Sequence, residues 1–459
     1  MTSCKVPTIV QKTENRNVPQ AFNDSKDTLN MASLPWRTIF TDQNLVKLID
    51  TALQRNQELN ITLQEIEIAK NDILSRQGAL RPIVGAKLGL GVEKVGRYTS
   101  QGAGDASTEI SPGKEVPEAL TDISGSVYAN WEIDIWKKLR NAKKAAITRY
   151  LSTVEGKNFV ITNLVAEIAG SYYELLALDN ELDIIKQTIG LQRNALEIVK
   201  IQKEASRTTE LAVQKFEAEV LKSQGMEYDI RQQIKETENR INFLLARYPQ
   251  EIPRPESDFL NQAPLNVNVG IPSQLLANRP DIRQAELDLS AAKLDVKIAR
   301  AEFYPSFEIS AALGLQAFKP SYLVKFPESM LYSLAGDLAG PLLNRNAIKA
   351  EFYNANSRQL QAMYNYERSI LNAYLEISTQ LSNIENLRKS YEIKSKQVEA
   401  LTRSIDLSTD LFKSARADYF EVLMTQRDAL DSKLELIETK KEQLKAFVNI
   451  YRDLGGGWH

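Results

Sequence analysis

The side chains that carry most protein chemistry are nearly absent from this 459-residue sequence, which has one cysteine, Cys4, and one histidine, His459. A serine–histidine–aspartate triad, or a zinc site with cysteine and histidine ligands, needs several such residues together. The many carboxylates leave acid–base chemistry formally open, but no paired-carboxylate motif stands out. We therefore expect a protein that is not an enzyme and that holds no metal or cofactor.

Cys4 is a candidate for covalent modification. Thr2 and Ser3 precede it, and small residues also precede the bacterial lipoprotein cysteines that are acylated after removal of a signal peptide. No apolar segment of the kind found in signal peptides stands before Cys4, so such a signal would have to lie outside these residues. An incidental surface thiol explains the same residues, and both alternatives stay open on this pattern.

Composition argues against several other classes of protein. Charged residues make up 25% of the chain with a net charge of -2, and no large block of one sign occurs. Nothing therefore favours a nucleic-acid partner or a basic membrane-surface segment. No run of about 18 apolar residues is present, so any membrane crossing is expected to use strands.

Four segments alternate apolar and polar residues, the last more weakly than the others: 82–95, 121–136, 305–318 and 330–342. Period-two alternation places successive side chains on opposite faces of a sheet. A strand of about ten residues can cross a bilayer when tilted. A soluble sheet with one wet face is the alternative, but two distant hairpins make a poor core. The glycine- and proline-rich connections within the hairpins are expected to be exposed loops.

The polar faces of these strands are expected to line an aqueous lumen, while the apolar faces meet lipid. The predicted lumen-facing residues are Glu93, Asp122, Asn130, Asp134 and Glu308. Unpaired backbone groups cost several kcal/mol each in hydrocarbon, so open strand edges do not persist there. Four strands cannot close a barrel, and we therefore expect subunits to pool their strands.

Two very long helices are predicted, at about 137–205 and 346–412, each followed by a return helix, at about 208–248 and 417–454. Apolar residues recur every seven positions along each long helix, which favours coiled-coil packing. At 1.5 Å per residue each long helix would approach roughly 100 Å. A long helix within a globular bundle is the alternative.

The order of helix, two strands, long helix and return helix occurs twice, which indicates an internal duplication. We predict an N-terminal tether over 1–35, a first structural repeat over 36–248, a proline-rich linker over 249–272 and a second repeat over 273–459. The fold class expected is mixed α and β.

Four motifs carry a resemblance to a known family: WRTIFTD at 36–42, EIDIW at 132–136, RPDIRQAE at 279–286 and LGGGW at 454–458. Together they resemble the TolC-like outer-membrane efflux proteins, in particular the lipoprotein channels of resistance-nodulation-division pumps. The resemblance extends from about residue 36 to the end. It implies a homotrimer in which each subunit gives four strands to a twelve-stranded transmembrane β-barrel, continued by a long α-helical coiled-coil barrel through the periplasm.

The function that the resemblance implies is passive conduction of exported small molecules through the outer-membrane channel of a tripartite efflux pump. The implied partners are a periplasmic adaptor protein, an inner-membrane resistance-nodulation-division transporter and outer-membrane lipid. The implied location is the outer membrane of a Gram-negative bacterium, with Cys4 as the lipid anchor. The alternatives are the outer-membrane channel of a protein-secretion system and, from a different class, a non-membrane coiled-coil scaffold.

The resemblance also implies a constriction at the turns between the long and return helices. By motif position its candidate residues are Leu211, Ala212, Asp418, Phe420, Glu421 and Met424. Family members commonly carry an acidic residue at the positions of Ala212 and Met424, and this chain does not. We therefore expect a ring of Phe420 side chains to close the constriction, with Glu421 and Asp418 supplying charge. The alternative is that Phe420 packs in the helical seam.

Overall fold

The computed structural model describes residues 6–10, 12–22, 29–255, 259–260, 267–340, 345–414 and 416–458. Cys4, His459 and the last two residues of the predicted fourth strand lie outside the described residues. The chain divides into two compact units. The strand unit is drawn from residues 1–13, 67–151 and 287–363, and the helical unit from 14–66, 152–286 and 364–459. Each unit takes segments from both predicted repeats, whose boundaries stay a prediction.

The order of elements along the chain has the twofold repetition that the sequence predicts. The helices are α1 Trp36–Ile39, α2 Gln43–Arg55, α3 Gln57–Gly78, α4 Ser100–Asp105, α5 Lys138–Glu204, α6 Glu210–Leu244, α7 Leu275–Asn278, α8 Pro280–Ala301, α9 Asn346–Lys413 and α10 Tyr419–Asp453. The strands are β1 Ile83–Glu93, β2 Glu109–Ser111, β3 Lys114–Glu115, β4 Leu120–Ile133, β5 Ser306–Ala317 and β6 Met330–Ala339.

Within the strand unit, β1, β4, β5 and β6 form one antiparallel sheet in that order. The register keeps the alternating patterns in phase, because Leu88 pairs with Gly125 and Val127 with Leu313. Apolar side chains therefore collect on one face. That apolar face is uncovered in the single chain, where Leu88 is 90% and Leu90 is 85% exposed. β1 and β6 are the edge strands of the sheet.

The four predicted strands are confirmed, but the predicted end of the second strand was wrong. The segment 121–136 was predicted as one strand, whereas β4 ends at Ile133. The chain leaves the sheet there, since Lys137 has a φ of 63° and α5 begins at Lys138. The connection between β1 and β4 was predicted as an exposed loop, and most of its residues are exposed. It contains helix α4 and the two-stranded sheet of β2 and β3.

The long and return helices are confirmed to within a few residues at each end. Along α5 the sevenfold seam is buried, and Ile189 packs with Ile230 of α6 and Leu430 of α10. The seam of α9 is buried at Ile370 but half-buried from Ile384 onward. Part of that seam is therefore left for other chains to cover. Within the described residues, none of the helices combines the length and apolar character needed to cross a membrane.

The described part of the predicted tether is extended and lies against helices instead of projecting freely. In the helical unit, the Arg16 guanidinium is 2.8 Å from the Glu286 carboxylate and lies over the ring of Tyr366. The ring of Phe22 stacks on that of Tyr374 at 5.4 Å between centroids. The segment thus fastens to both α8 and α9.

Candidate functional site

The polar face of the four-stranded sheet is the first candidate site. Glu93, Asp122, Asn130 and Glu308 all lie on it, because the register gives them the parity opposite to that of the apolar residues. Asp122 accepts two hydrogen bonds from the Gln316 side-chain amide, at 2.9 and 3.0 Å, across the β4–β5 pair. Polar side chains therefore lie on this face at both ends of the sheet.

Asp134, which was predicted as a fifth residue of this face, lies beyond the end of β4 and instead caps α5. Its carboxylate accepts hydrogen bonds from the backbone N–H groups of Leu139 and Arg140, both at 2.9 Å, and from the Arg140 guanidinium. Burial alone would favour the neutral acid, but these bonds outweigh it and lower the pKa of Asp134. The correction follows from the early end of the strand.

A row of carboxylates on the polar face was missed by the sequence-based list. Glu132 pairs with Glu308, and Glu308 with Asp337, so three adjacent strands place a carboxylate at one level. Lys138 lies 2.7 Å from Glu132 and compensates one of the three charges. The row could not be predicted because it depends on the register between strands. Alternation within one strand shows on which face a residue lies, but not which residue of the neighbouring strand lies beside it.

The first helix turn of the predicted constriction lies between α5 and α6. Thr209 caps α6 through a 3.3 Å hydrogen bond from the backbone N–H of Ala212. Lys203 forms an ion pair with Glu210, and its hydrogen bond lowers the pKa of that carboxyl group. The side chain of Leu211 is 59% exposed, whereas Ala212 is fully buried. The side chain of Ala212 is therefore covered by its own chain and does not line a lumen.

The second helix turn, between α9 and α10, differs in its polar chemistry. Asp418 is the N-cap of α10, yet its side chain makes no capping hydrogen bond. Phe420 is 57% exposed, almost as much as Leu211 at the corresponding position. Glu421 and Met424 line an open groove of about 410 Å³ between the two helices. Phe420 lies about 100° from Glu421 around the helix axis.

A buried charged cluster gives the RPDIRQAE motif a structural role. Arg279 donates hydrogen bonds to both carboxylate oxygens of Asp281, at 2.9 and 2.7 Å, and to Glu376 at 2.7 Å. It also donates to the backbone carbonyl of Asp453 at 2.9 Å, at the end of α10. The motif therefore ties the start of α8 to α9 and α10. Among the described residues, no three His, Cys, Asp or Glu side chains are placed to hold a metal ion.

Comparison with known proteins matches this architecture along nearly the whole chain. The sequence profile of a family described as "Outer membrane efflux protein" matches residues 48–247 and 271–456. The pyoverdine export outer membrane protein OpmQ of Pseudomonas aeruginosa is 26% identical over 423 residues, which are 92% of this chain and 87% of OpmQ. The cation efflux system protein CusC of Escherichia coli is 25% identical over 450 residues, covering 96% and 93% of the two chains.

Solved structures show the same fold. A crystal structure of CusC superposes with a TM-score of 0.85 at 21% identity and covers 98% of this chain and 99% of its own. The open-state structure of the MtrE outer membrane channel of Neisseria gonorrhoeae gives a TM-score of 0.85 at 21% identity, with 99% and 98% coverage. Both matches extend over the strand and helical units alike.

Proposed function

This chain belongs to the outer membrane efflux protein family, and from that membership we propose how its residues conduct substrate. The protein is an outer-membrane channel of a tripartite efflux pump, a homotrimer that works with a periplasmic adaptor and an inner-membrane resistance-nodulation-division transporter. Its location is the outer membrane of a Gram-negative bacterium. We propose further that the channel is a passive conduit and performs no catalysis.

The observation that carries the proposal is a four-stranded sheet with two open edges and an uncovered apolar face. Leu88 is 90% exposed and Leu334 is 78% exposed on that face of a single chain. Exposed leucines on the two edge strands are covered by lipid at no cost, and those edges are satisfied when β6 of one subunit pairs with β1 of the next. The polar face then lines the lumen.

Reconstitution into a planar lipid bilayer tests the proposal directly. The purified trimer should give stepwise conductance, and the subunit number should be counted on the same sample. A sample that is trimeric and correctly folded but never conducts would contradict a channel. A sample that stays monomeric in detergent would contradict the shared barrel.

We propose that Phe420 is the main steric part of the periplasmic constriction. Its exposure supports this, since a ring that is 57% exposed in the single chain can project toward the channel axis, whereas Phe216 of α6 is buried among the helices of its own chain. Asp418, whose carboxylate makes no capping bond, and Glu421, which is exposed, supply negative charge beside it. Leu211 contributes the equivalent, smaller apolar side chain from the first turn.

Single-channel conductance of Phe420→Ala tests this proposal. Removing the ring should raise the conductance of the resting channel, whereas Leu211→Ala, a similarly exposed position on the equivalent turn, should raise it less. Equal conductance of Phe420→Ala and the unsubstituted protein would remove Phe420 from the constriction. Glu421→Gln should reduce the preference for cations with little change in conductance.

We propose that Cys4 is acylated and anchors the subunit. The support comes from the segment that follows it, since Val6 and Ile9 pack against a cluster that contains Phe303 and Phe352. Phe303 lies three residues before the start of β5, so the described part of this segment lies at the periplasmic end of the sheet. An acyl chain attached nearby would enter the inner leaflet of the outer membrane. Metabolic labelling with palmitate should mark the protein and not Cys4→Ala; equal labelling of both would disprove the anchor.

A further inference from the structure

The connection between β1 and β4 is a small folded element with regular secondary structure. It contains α4 and the β2–β3 hairpin, whereas the β5–β6 connection is shorter and holds one 3-10 turn, Pro320–Tyr322. We refer to residues 94–118 as the lip. Its two ends are joined by an ion pair of 2.8 Å between Lys94 and Glu118. This ion pair thus closes the lip at its base.

Hydrogen bonds inside the lip fix its conformation. Thr99 donates to the carbonyl of Gly96 at 2.7 Å and accepts from the N–H of Gly102 at 3.1 Å, which caps α4. Thr108 donates to the carbonyl of Gly104 at 2.8 Å. The backbone N–H of Gly113 donates to Glu109 at 2.9 Å across the hairpin turn. Side chains thereby satisfy backbone groups that would otherwise favour many conformations.

The lip lies over the polar face of the sheet. A cavity of about 340 Å³ separates them, with Gln101 and Asp105 of α4 on one side and Glu93, Asp122 and Gln316 of the polar face on the other. Those three residues lie at the end of the sheet away from α5 and α9. In an outer-membrane channel whose long helices enter the periplasm, this is the external mouth.

We propose that the lip is a fixed constriction of the external mouth, so that the exit selects solutes by size and by charge. This inference rests on the channel function. Twelve tilted strands enclose about 24 Å between opposite backbones, and a helix with its side chains is about 10 Å across. Three lips directed inward therefore occupy a large part of the opening. Asp105 adds its carboxylate to those of Glu93 and Asp122, so the narrowed mouth is acidic.

One glycine offers a clean way to displace the lip. A Cβ added at Gly102 would lie 2.2 Å from the carbonyl oxygen of Gly96 and 2.9 Å from the Cα of Arg97. These are backbone atoms, so they yield only if the lip opens. A Cβ added at Gly104, in the same short helix, meets nothing within 4 Å. Gly102→Ala and Gly104→Ala are therefore a matched pair with the same chemical change.

The experiment measures access to the lumen from outside intact cells. Ser124→Cys places a thiol on the polar face below Asp122, between Gly89 of β1, which has no side chain, and Gln316 of β5, whose amide is bonded to Asp122. A small and a bulky polyethylene-glycol maleimide, both membrane-impermeant, are added to cells that carry this thiol. Cells with the native Ser124 report any labelling of Cys4.

With the lip intact, the small reagent should label Ser124→Cys and the bulky one should fail. Protection from the bulky reagent should be lost in Gly102→Ala and in a deletion of residues 97–115 closed by two glycines, and should persist in Gly104→Ala. Equal bulky labelling with and without the lip would overturn the constriction. Failure of the small reagent in every variant would instead contradict the lumen, and so the channel itself. Trimer content by gel separates either result from misfolding.

Discussion

The two repeats fasten their return helices to the rest of the helical unit at matching points with different chemistry. In the first repeat, the Asn56 side chain donates to the carbonyl of Leu244 at 2.9 Å and accepts from the N–H of Leu59 at 3.0 Å. We call this contact the neutral latch. In the second repeat, Arg279 donates to the carbonyl of Asp453, and we call this contact the charged latch. Each residue immediately precedes a helix and satisfies a carbonyl at the end of another. A neutral amide thus satisfies the terminal carbonyl in the first repeat, and a charged guanidinium satisfies it in the second.

The turns that follow the two return helices also differ. Both have a residue with left-handed backbone after the helix, Ala246 with φ of 51° and Gly455 with φ of 90°. A Cβ at Gly455 would lie 2.5 Å from the carbonyl oxygen of Asn278. Close approach of two backbones therefore requires glycine in the second repeat. The first repeat has no such approach and carries alanine with some conformational strain.

The largest effect expected is from breaking the charged latch. Arg279→Gln removes a guanidinium that is 8% exposed and leaves the carboxylates of Asp281 and Glu376 without their shared cation. Loss of one partner from a fully buried ion cluster costs about 3–5 kcal/mol, and the partial exposure of Asp281 and Glu376 reduces the expected loss to about 3 kcal/mol. Denaturant unfolding of the detergent-solubilised trimer measures it. The control is Arg388→Gln, in an exposed network on α9, where no measurable loss of stability is expected because solvent screens the charges.

Breaking the neutral latch should cost less. Asn56→Ala leaves the Leu244 carbonyl and the Leu59 N–H without the amide that serves them both. Buried hydrogen-bond partners left unsatisfied cost about 1–3 kcal/mol. The same unfolding measurement should therefore rank Arg279→Gln above Asn56→Ala. The reverse order would mean that the neutral amide, and not the ion cluster, is the main fastening.

Sequence reasoning predicted the elements of this fold well because each repeats a periodic pattern over many residues. The strands around Leu88 and Leu313 follow from alternation, and the seam through Ile189 follows from sevenfold spacing. The latches could not be predicted in this way. Asn56 and Leu244 lie 188 positions apart, and no pattern in the sequence pairs a single amide with a distant carbonyl.

The candidate site shows the same limit. Faces could be assigned from parity alone, whereas the carboxylate row of Glu132, Glu308 and Asp337 depends on register between strands. Asp134 was misassigned because its residue type continues the alternation past the point where the chain turns away. The lip was missed since its order comes from side-chain to backbone bonds of Thr99 and Thr108, which leave no periodic trace.

One pH-dependent effect distinguishes the first repeat from the second. Burial raises the pKa of Glu181 on α5 to about 7; Lys441 opposes the shift, and Glu438 and Glu174 add to it. The offset that aligns Glu210 with Tyr419 places Ser390, which cannot ionise, at the equivalent position of α9. Because folding favours the protonated carboxyl group, the stability it contributes is present at low pH and is lost as pH rises through 7.

Glu181→Gln should therefore narrow the difference in stability between pH 5 and pH 8, by about 1–2 kcal/mol once partial solvent exposure is allowed for. Melting temperatures at the two pH values measure it. The control is Glu167→Gln. Glu167 lies on α5, as Glu181 does, but forms an exposed ion pair with Arg240 of α6. Its substitution should leave the difference in stability between pH 5 and pH 8 unchanged. An unaltered pH dependence in Glu181→Gln would show that this carboxyl group is ionised without penalty.

The smallest effect separates backbone strain from backbone contact at the two turns. Ala246→Gly relieves the left-handed alanine but makes the unfolded chain more flexible, so a net stabilisation of about 0.5–1 kcal/mol is expected. Gly455→Ala meets both the unfavourable φ and the Asn278 carbonyl, and should destabilise by more than that. If strain alone mattered, the two substitutions would give opposite changes of equal size. A larger loss at Gly455 than gain at Ala246 would show that the glycine of the LGGGW motif is required by the close contact with the end of α7.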